Sequence, residues 1–403
     1  MSIFISIVGL GLLILIHEAG HFFVARAVGM NPRKFYLGFP PALVKTTRNG
    51  IEYGVGAIPL GGYVKIPGMH RPAAGDLDVH FGRAVSEQPA LGPGVEELRR
   101  RLTAEDHVHS REAVARLSEQ LEGAELSPVA LKAAERGLGD VDDALGPDAY
   151  WRAKTWKRVA VIFAGPGANL LLAVVLFGAL FLATEGVYQL GFAAKGAESE
   201  AAVVAEVTAG SPAAEAGLLP GDRIVEIDGK AVAPDAIRPA IRASEGQGLA
   251  VTVMRDGARI VLPTVTPRMS ETYGPLDSTW QAIRVTGIVT KAIGGSIGRL
   301  VTGDGRNEIS SPVGIVQGSS QAVDRGTESY LWVLGLISLS LALLNLLPLL
   351  PLDGGHIAFS LLEGIRGKAV AREVYERVSV VGIALVLLLF FIGLTNDIGR
   401  LGS

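Results

Sequence analysis

The chain has no cysteine among its 403 residues, and it has few charged residues for its length. The first absence excludes disulfide bonds, cysteine-based zinc sites, iron–sulfur clusters and a thiol nucleophile, so any metal must be held by histidines and carboxylates. Charged residues make up 19% of the chain, below the figure of about 25% that is usual for soluble proteins. With 49% hydrophobic residues and a mean hydropathy of +0.36, this deficit indicates segments that cross a membrane.

An excess of basic residues is also missing. Lys and Arg together number 37 against 40 Asp and Glu, which gives a net charge of -3 and a pI near 6.2. This balance excludes a globally basic nucleic-acid-binding protein. No nucleic acid is therefore expected among its partners, whereas the membrane-crossing segments make the lipid bilayer one of them.

Four apolar stretches approach the roughly 20 helical residues that span a bilayer. They predict a multi-pass α-helical membrane protein with spans at 1–29, 159–184, 330–354 and 378–395. The first stretch lacks the basic start and the small-residue cleavage site of a signal peptide, so we interpret it as a retained span. Lys and Arg flank the segment between the first two spans and occupy the loop 364–377, which predicts that both are cytoplasmic and that both termini are extracytoplasmic.

Two cytoplasmic segments are predicted between the first and second spans. Residues 30–69 are expected to form a membrane-associated β region, in which Glu52–Ala57 and Gly62–Ile66 have strand character and form a hairpin. Residues 70–150 form an acidic insertion, helical or partly disordered, with 16 acidic against 9 basic residues. Its scattered histidines are interpreted as surface residues, since no metal-ligand spacing connects them; they are His70, His80, His107 and His109.

The segment between the second and third spans is predicted to be extracytoplasmic. Residues 201–268 contain a Gly-Ser-Pro-Ala-Ala-Glu-Ala-Gly run, an alternating strand pattern and the turn signal Asp228-Gly229. This part resembles a PDZ domain, a fold that binds an extended peptide at a sheet edge; the alternative is a structural spacer. Residues 269–329 are expected to be extracytoplasmic or interfacial, with an interfacial helix over Val285–Val301.

The central motif is His17-Glu18-Ala19-Gly20-His21, in the first span. Histidines four residues apart share one face of a helix, so both imidazoles can reach one metal. Glu18 lies beside them and can accept a proton from water that the metal activates. Three ionisable residues in the middle of a membrane helix are costly and indicate function. The alternative is a set of polar residues that only pack between helices.

A tetrahedral zinc site with two histidines needs a third protein ligand and an open position. The candidate is Asp353, because the first and third spans run in the same direction and both motifs fall past mid-span. Pro348 and Pro351 should break the helix before it, and Asn345 can hydrogen-bond a substrate carbonyl. The alternative for Asp353 is a helix cap, and His356 is either a fourth ligand or a supporting residue.

With these motifs in place, the chain resembles the site-2 proteases, a family of intramembrane zinc metalloproteases. It is most similar to bacterial members with a PDZ domain, of the regulator-of-sigma-E-protease and actinobacterial type. The resemblance rests on the helix with the two histidines, on Ile58–Lys65, on Phe163–Asn169 and on Asn345–Asp353. It implies Zn²⁺ as the cofactor, Glu18 as the catalytic base, and three metal ligands, namely His17, His21 and Asp353.

Substrate binding is predicted for a second set of residues. A transmembrane helix must be unwound before its backbone is attacked, and a strand edge at Gly61, Gly62 and Tyr63 would hold it extended; the alternative is a hairpin that only braces the catalytic helix. Asn345 and Asn169 are predicted to contact substrate, with interhelical hydrogen bonding as the alternative for Asn169. The motif departs from the family pattern at Leu350, where a proline is common, which leaves the local backbone shape open.

The resemblance implies an endopeptidase of the bacterial plasma (inner) membrane that cleaves single-pass membrane proteins within or near the bilayer, after another protease has removed their external domain. Membrane-bound anti-sigma factors and signal peptide remnants are the implied substrate classes. The PDZ domain would act as a size filter or as a reader of peptide C-termini. The alternatives are a metallopeptidase that processes small peptides and a non-catalytic PDZ scaffold, and the presence of Glu18 argues against the scaffold.

Overall fold

The computed structural model describes residues 1–183, 188–194, 202–269, 272–302 and 309–401. These residues separate into two compact units, of which the first comprises residues 1–177 with 282 onward and the second residues 178–281. Parts of three predictions lie outside the described residues: the last residue of the second span, the first residue of the predicted PDZ domain, and positions 270–271 and 303–308 of the predicted interfacial segment.

Within the described residues, four helices are long and apolar enough to cross a membrane, which confirms the predicted number of spans. They are α1 (Ser2–Ala27), α6 (Thr155–Ala183), α11 (Thr327–Asn345) and α13 (Arg372–Leu401). The third span ends at Asn345 rather than near residue 354, because the prolines that follow cannot continue a helix. Helical structure resumes at α12 (Asp353–Arg366).

A β-sheet follows α1, built from the long strands β1 (Lys34–Arg48) and β2 (Ile51–Lys65). The turn between them is Asn49-Gly50, and both residues have positive φ, 51° and 77°. Two-residue hairpins favour this conformation, and Asn-Gly adopts it at low cost. The second half of β1 pairs with residues 51–56 across this turn.

The first residues of β1, Lys34–Leu37, lie between two stretches of β2. They pair with residues 52–55 on one side and with residues 62–65 on the other, and the Arg33 amide donates to the carbonyl of Lys65 at 2.8 Å. The predicted hairpin between Glu52–Ala57 and Gly62–Ile66 is therefore wrong, because the start of β1 separates its two arms. Within the described residues, no strand pairs with the other side of residues 62–65, which we call the edge segment.

Residues 70–150 contain four helices: α2 (Asp76–Glu87), α3 (Gly92–Thr103), α4 (His107–Glu122) and α5 (Pro128–Leu145), with 3₁₀ turns at Pro89–Leu91 and Tyr150–Arg152. We call residues 76–145 the helical insertion. It encloses a hydrophobic core of its own, whose most buried large side chains are Leu77, Phe81, Leu98, Leu117 and Leu145.

The sequence of α5 shows why the insertion is helical. Ser127 caps the helix by accepting a hydrogen bond from the Ala130 amide at 3.3 Å, and Pro128 occupies the first turn, where its missing N–H is not needed. Apolar residues then recur every three or four positions through Leu138 and Leu145, so one face of α5 packs into the core.

The second unit is an antiparallel sheet with short helices. Its elements are β3 (Tyr188–Gln189), β4 (Phe192–Ala194), β5 (Ala202–Val207), α7 (Pro212–Glu215), β6 (Arg223–Ile227), β7 (Lys230–Ala231), a 3₁₀ turn (Pro234–Ala236), α8 (Ile237–Ala243), β8 (Val251–Arg255), β9 (Ala258–Val261) and β10 (Arg268–Met269). The strand order is β4-β5-β6-β8-β9, with β7 on β6, while β10 pairs with β3. These residues carry the predicted PDZ domain, and that assignment stays a prediction.

Two further helices, α9 (Pro275–Thr302) and α10 (Pro312–Arg325), precede α11. The predicted interfacial helix is part of α9. In α10, Ser311 and Gly314 donate their amides to the buried carboxylate of Asp397 at 2.7 and 3.1 Å, so that the end of α13 caps the start of α10.

Candidate metal centre

Two of the predicted ligands, His17 and His21, are one turn apart on α1. Both are buried, with 7% of each residue exposed. Their Nε2 atoms face each other at 3.2 Å and their rings are nearly perpendicular, at 81°. The four-residue spacing therefore brings both imidazoles to one point, as the motif predicts.

The third predicted ligand, Asp353, reaches the same point from the other end of the chain. Its Oδ2 atom lies 3.2 Å from Nε2 of His17 and 3.4 Å from Nε2 of His21. Asp353 is the first residue of α12, directly after the segment in which Pro348 and Pro351 interrupt the helix. The helix break thus directs the carboxylate toward α1.

Two glycines allow the chain to turn tightly behind Asp353. A Cβ atom on Gly354 would lie 2.2 Å from the carbonyl oxygen of Leu347, and one on Gly355 would lie 2.5 Å from the amide nitrogen of Leu350. Both distances are too short for any side chain, so the start of α12 packs directly against the preceding backbone. This contact holds Asp353 in place.

The three side chains fit a zinc ion. Their ligand atoms lie within 4.8 Å of one another, and Oδ2 of Asp353 is buried without a hydrogen-bond partner. Three atoms with lone pairs repel one another unless a cation lies between them. Ligands about 2.0–2.1 Å from a tetrahedral zinc are about 3.3 Å apart, which matches the observed separations. Among the described residues, no other group of three or more His, Asp or Glu side chains converges in this way.

Helix α6 fixes the orientation of both imidazoles. Nδ1 of His21 lies 2.8 Å from the backbone carbonyl of Val161, which can only accept, so Nδ1 carries the proton and Nε2 is free for a metal. Nδ1 of His17 lies 3.3 Å from the side-chain amide of Asn169. Asn169 is fully buried, and its backbone carbonyl accepts from Ser338 of α11 at 2.8 Å. An amide oxygen at this position would accept the Nδ1 proton of His17 in the same way.

Close packing between α1 and α6 depends on two glycines. A Cβ atom on Gly165 would lie 2.2 Å from Nε2 of His21 and 2.8 Å from Nε2 of His17, inside the metal centre. A Cβ atom on Gly20 would lie 2.2 Å from the carbonyl oxygen of Ala164. No role is predicted for Gly165 from the sequence, although it lies within the Phe163–Asn169 motif. The role of Val161 could not be predicted from its residue type, because its backbone carbonyl, not its side chain, contacts His21.

The predicted base, Glu18, lies between the ligands and the sheet. Its carboxylate interacts electrostatically with His17, His21 and Asp353, and the backbone amide of Val64 faces it. A Cβ atom on Gly62 would lie 2.8 Å from Cγ of Glu18. Glu18 is therefore in contact with the edge segment.

The other predicted residues differ in how they relate to this centre. Gly61 lies against the ring of Phe39, and Tyr63 stacks on Tyr36 with ring centroids 5.2 Å apart. Asn345 is half-buried at the end of α11, and no hydrogen bond described for this part of the chain connects it to the ligands. The ring of His356 lies 6.4 Å from that of His70, outside the ligand group.

The sheet is stabilised by a charged cluster around Glu52. Its carboxylate accepts from the Tyr36 hydroxyl at 2.7 Å and pairs with Lys34 at 3.0 Å and Lys45 at 3.3 Å. These donors lower the pKa of Glu52 to about 2. Burial and the neighbouring carboxylate raise the pKa of Tyr36 to about 12. The pairing of β1 with β2 is thus reinforced by side chains on both strands.

Comparisons with known proteins agree in pointing to one family. The family model for peptidase family M50 matches residues 5–389. A protein of Agrobacterium fabrum whose name describes a zinc metalloprotease is 31% identical over 422 residues, covering 97% of this chain and 94% of that protein. The regulator of sigma-E protease RseP of Salmonella typhimurium is 31% identical over 464 residues, covering 98% of each chain.

Proposed function

We propose a function for this chain from its family and its metal centre: it belongs to peptidase family M50, the site-2 protease family, and is a zinc metalloendopeptidase. The proposed reaction is the cleavage of single-pass membrane proteins within or near the bilayer, after another protease has removed their external domain. The observation that carries this proposal is the convergence of His17, His21 and Asp353. Two of these ligands lie inside a helix apolar enough to cross a membrane. A metal centre at that position serves substrates that are themselves in the membrane.

The chain's own residues divide the catalytic work. His17, His21 and Asp353 would hold the zinc ion, and the ion would supply Lewis acidity toward a peptide carbonyl and toward water. Glu18 accepts the proton of the attacking water and returns it to the leaving nitrogen. Asn169 is assigned to the orientation of His17, because its side-chain amide is buried against Nδ1 of that ring. Asn345 remains the candidate for binding a substrate carbonyl.

The edge segment is the proposed site at which the substrate is held extended. A transmembrane helix satisfies its own backbone hydrogen bonds, so it must unwind before a peptide bond becomes accessible. The Arg33 amide donates to the carbonyl of Lys65, and successive residues of an antiparallel strand point their backbone groups to opposite sides. Val64 therefore points away from β1, toward Glu18. A substrate strand added along this side passes directly beside the base, with Gly61, Gly62 and Tyr63 next to it.

The proposed topology places both termini outside and the sheet with the helical insertion in the cytoplasm of a bacterial inner-membrane protein. Clusters of Lys and Arg next to the first, second and fourth spans support this orientation. The second unit would then be extracytoplasmic. There it is proposed to act as a PDZ domain that excludes substrates with an intact external domain or binds the C-terminus of a trimmed one.

The proposed substrate classes are membrane-bound anti-sigma factors and signal peptide remnants. The name of the Salmonella typhimurium relative, a regulator of sigma-E protease, supports the first class. Both classes consist of a single span with little mass outside after trimming, which suits a site within the membrane. No contact among the described residues favours the two alternatives, a peptidase of small peptides and a non-catalytic scaffold.

The test is cleavage of a tagged, externally trimmed single-pass protein in liposomes by the wild type and by Glu18→Gln. Because Glu18 is not a ligand, the variant should retain zinc while its rate falls by about 10²–10⁴-fold, the usual contribution of a general base. Zinc content measured by mass spectrometry provides the control. A variant that cuts as fast as the wild type would show that Glu18 is not the base, and a wild type that cuts no membrane substrate would refute the proposed function.

A further inference from the structure

A cavity of about 420 Å³ lies between the sheet and the helical insertion. One wall is formed by residues 63–66, at the end of the edge segment, and by residues 68–72 that follow it. The opposite wall is formed by α2 and α5, including His80 and Gly137. None of the metal ligands lines this cavity, and neither does Glu18. Its volume falls within the range of about 300–1,000 Å³ that is typical of ligand sites.

The cavity continues the line of the edge segment away from the metal centre. Residues 63–66 are consecutive, so the wall that they form runs along the last residues of β2 and past its end. The other side of residues 62–65 is already paired with β1. At one end of the edge segment, Gly62 contacts Glu18, and at the other end Lys65 and Ile66 open into the cavity. An extended chain paired here would connect the two places.

The charges on the wall favour a basic occupant. The helical insertion contributes three carboxylates, on Asp76, Asp140 and Asp143. The ammonium group of Lys65 lies 2.8 Å from Asp140 and 2.9 Å from Asp143, so it remains paired if one of the two carboxylates turns away. Asp140 is the more accessible, with 43% of its side chain exposed against 14% for Asp143. An exposed ion pair of this kind contributes little free energy, so replacing Lys65 by another cation at Asp140 costs little free energy.

The remaining cation of the wall is already engaged. The guanidinium of Arg71 lies over the ring of Trp151, 4.9 Å from its centroid. Of the two carboxylates paired with Lys65, the more accessible one, on Asp140, is the one proposed to exchange its partner.

We propose that this cavity binds the cytoplasmic flank of the substrate, an extended segment with Lys or Arg next to the cut span, and that Asp140 receives one of its basic side chains. The inference rests on the proposed function and on the cytoplasmic position of the sheet. Single-pass proteins carry an excess of Lys and Arg at the cytoplasmic end of their span. The helical insertion thereby forms the outer part of the substrate site and recognises the charge of the substrate's side chains, whereas the edge segment recognises only the substrate's backbone.

Cross-linking tests occupancy without relying on cleavage. Since the chain has no cysteine, a single one can be placed on the cavity wall by Met69→Cys in the Glu18→Gln background. The probe is a trimmed single-pass protein in liposomes, with one cysteine moved stepwise along its Lys-rich flank. A disulfide should form at one or two adjacent flank positions. The matched control, Ala115→Cys on the exposed side of α4, should give none. Equal cross-linking of both variants, or none to Met69→Cys, would overturn the proposal.

A charge exchange then tests Asp140 itself. With a substrate bearing Lys in the flank, Asp140→Lys should raise KM by roughly fivefold, the size expected for one exposed ion pair, and leave kcat unchanged. A substrate with Glu in place of that Lys should reverse the preference. The control Glu119→Lys makes the same charge change at an exposed position of α4 and should have no such effect.

The two proposals fail in different ways. If the wild type cuts both substrates but Asp140→Lys has the same KM for both, Asp140 does not recognise the charge of the flank, and the protease assignment stands. If the wild type cuts neither substrate, the proposed function fails, and the cross-linking result still decides whether the cavity binds the flank.

Discussion

The metal centre and the contact between sheet and helical insertion are held together in opposite ways. At the metal centre, Gly20 of α1 packs against the backbone of α6, and the backbone of α6 at Gly165 packs against the two imidazoles, so closely that neither position has room for a side chain. At the insertion, Arg33 and Lys65 extend from the sheet to carboxylates on and after α5, with Arg33 2.7 Å from Asp143 and 3.0 Å from Asp148. The first contact is made by backbone, and the second by flexible charged side chains.

This difference indicates which part of the molecule tolerates change. Close-packed backbone transmits a displacement of a few tenths of an ångström directly to the ligands, whereas ion pairs at partly exposed sites readjust. The catalytic distances therefore depend on small residues in the spans. The orientation of the helical insertion depends on charges that can be altered without disturbing the metal.

The largest effect is expected from Gly165→Ala, which would place a methyl group 2.2 Å from Nε2 of His21. Zinc affinity should fall by about 100-fold or more, beyond what loss of an outer-shell partner costs. Competition with a chelator measures this. Gly167→Ala is the matched control on the same helix, because its Cβ would contact only the movable ring of Phe163, at 3.1 Å. If the two variants bind zinc equally well, close packing does not define the centre.

A smaller effect is expected from Asn169→Ala, which removes the side chain beside Nδ1 of His17. Loss of an outer-shell partner typically lowers metal affinity by about 10–100-fold. Asn169→Asp retains an acceptor oxygen and should restore most of the affinity, and the absorption spectrum of the Co²⁺ form should report the ligand geometry of each variant. Should Asn169→Ala raise KM at unchanged zinc affinity, Asn169 contacts substrate instead.

The smallest effect is expected from Asp143→Asn, at the contact with the insertion. This carboxylate bridges Arg33 and Lys65, so its loss should lower the free energy of local opening of the edge segment by about 1 kcal/mol. Hydrogen exchange at residues 62–65 measures that opening. Asp142→Asn changes the same charge at the exposed neighbouring position and should leave exchange unaltered. An effect on zinc affinity from Asp143→Asn would show that the two regions are not independent.

Much of the geometry of the candidate metal centre could be predicted because its signals are local. The spacing of His17 and His21 is a property of one helix, and the prolines before Asp353 predict a helix break wherever they occur. The number of spans follows from composition in the same way. These features need no knowledge of how distant parts of the chain meet.

The sheet could not be predicted to the same extent, because its pairing is set by distant segments. Nothing in Glu52–Ala57 or Gly62–Ile66 reveals that Lys34–Leu37 lies between them. The carbonyl of Val161 likewise orients His21 without any signal in its side chain. Contacts made by backbone, or by segments far apart in sequence, leave little trace in residue type.

The position of Asp353 has a further consequence for the chain as a whole. Its partners lie near the N-terminus, while Asp353 begins a helix near the C-terminus. In a protein without cysteine, coordination of a metal at this point would be the equivalent of a cross-link between α1 and α12. The free energy of metal binding would then contribute to keeping the spans assembled as well as to catalysis.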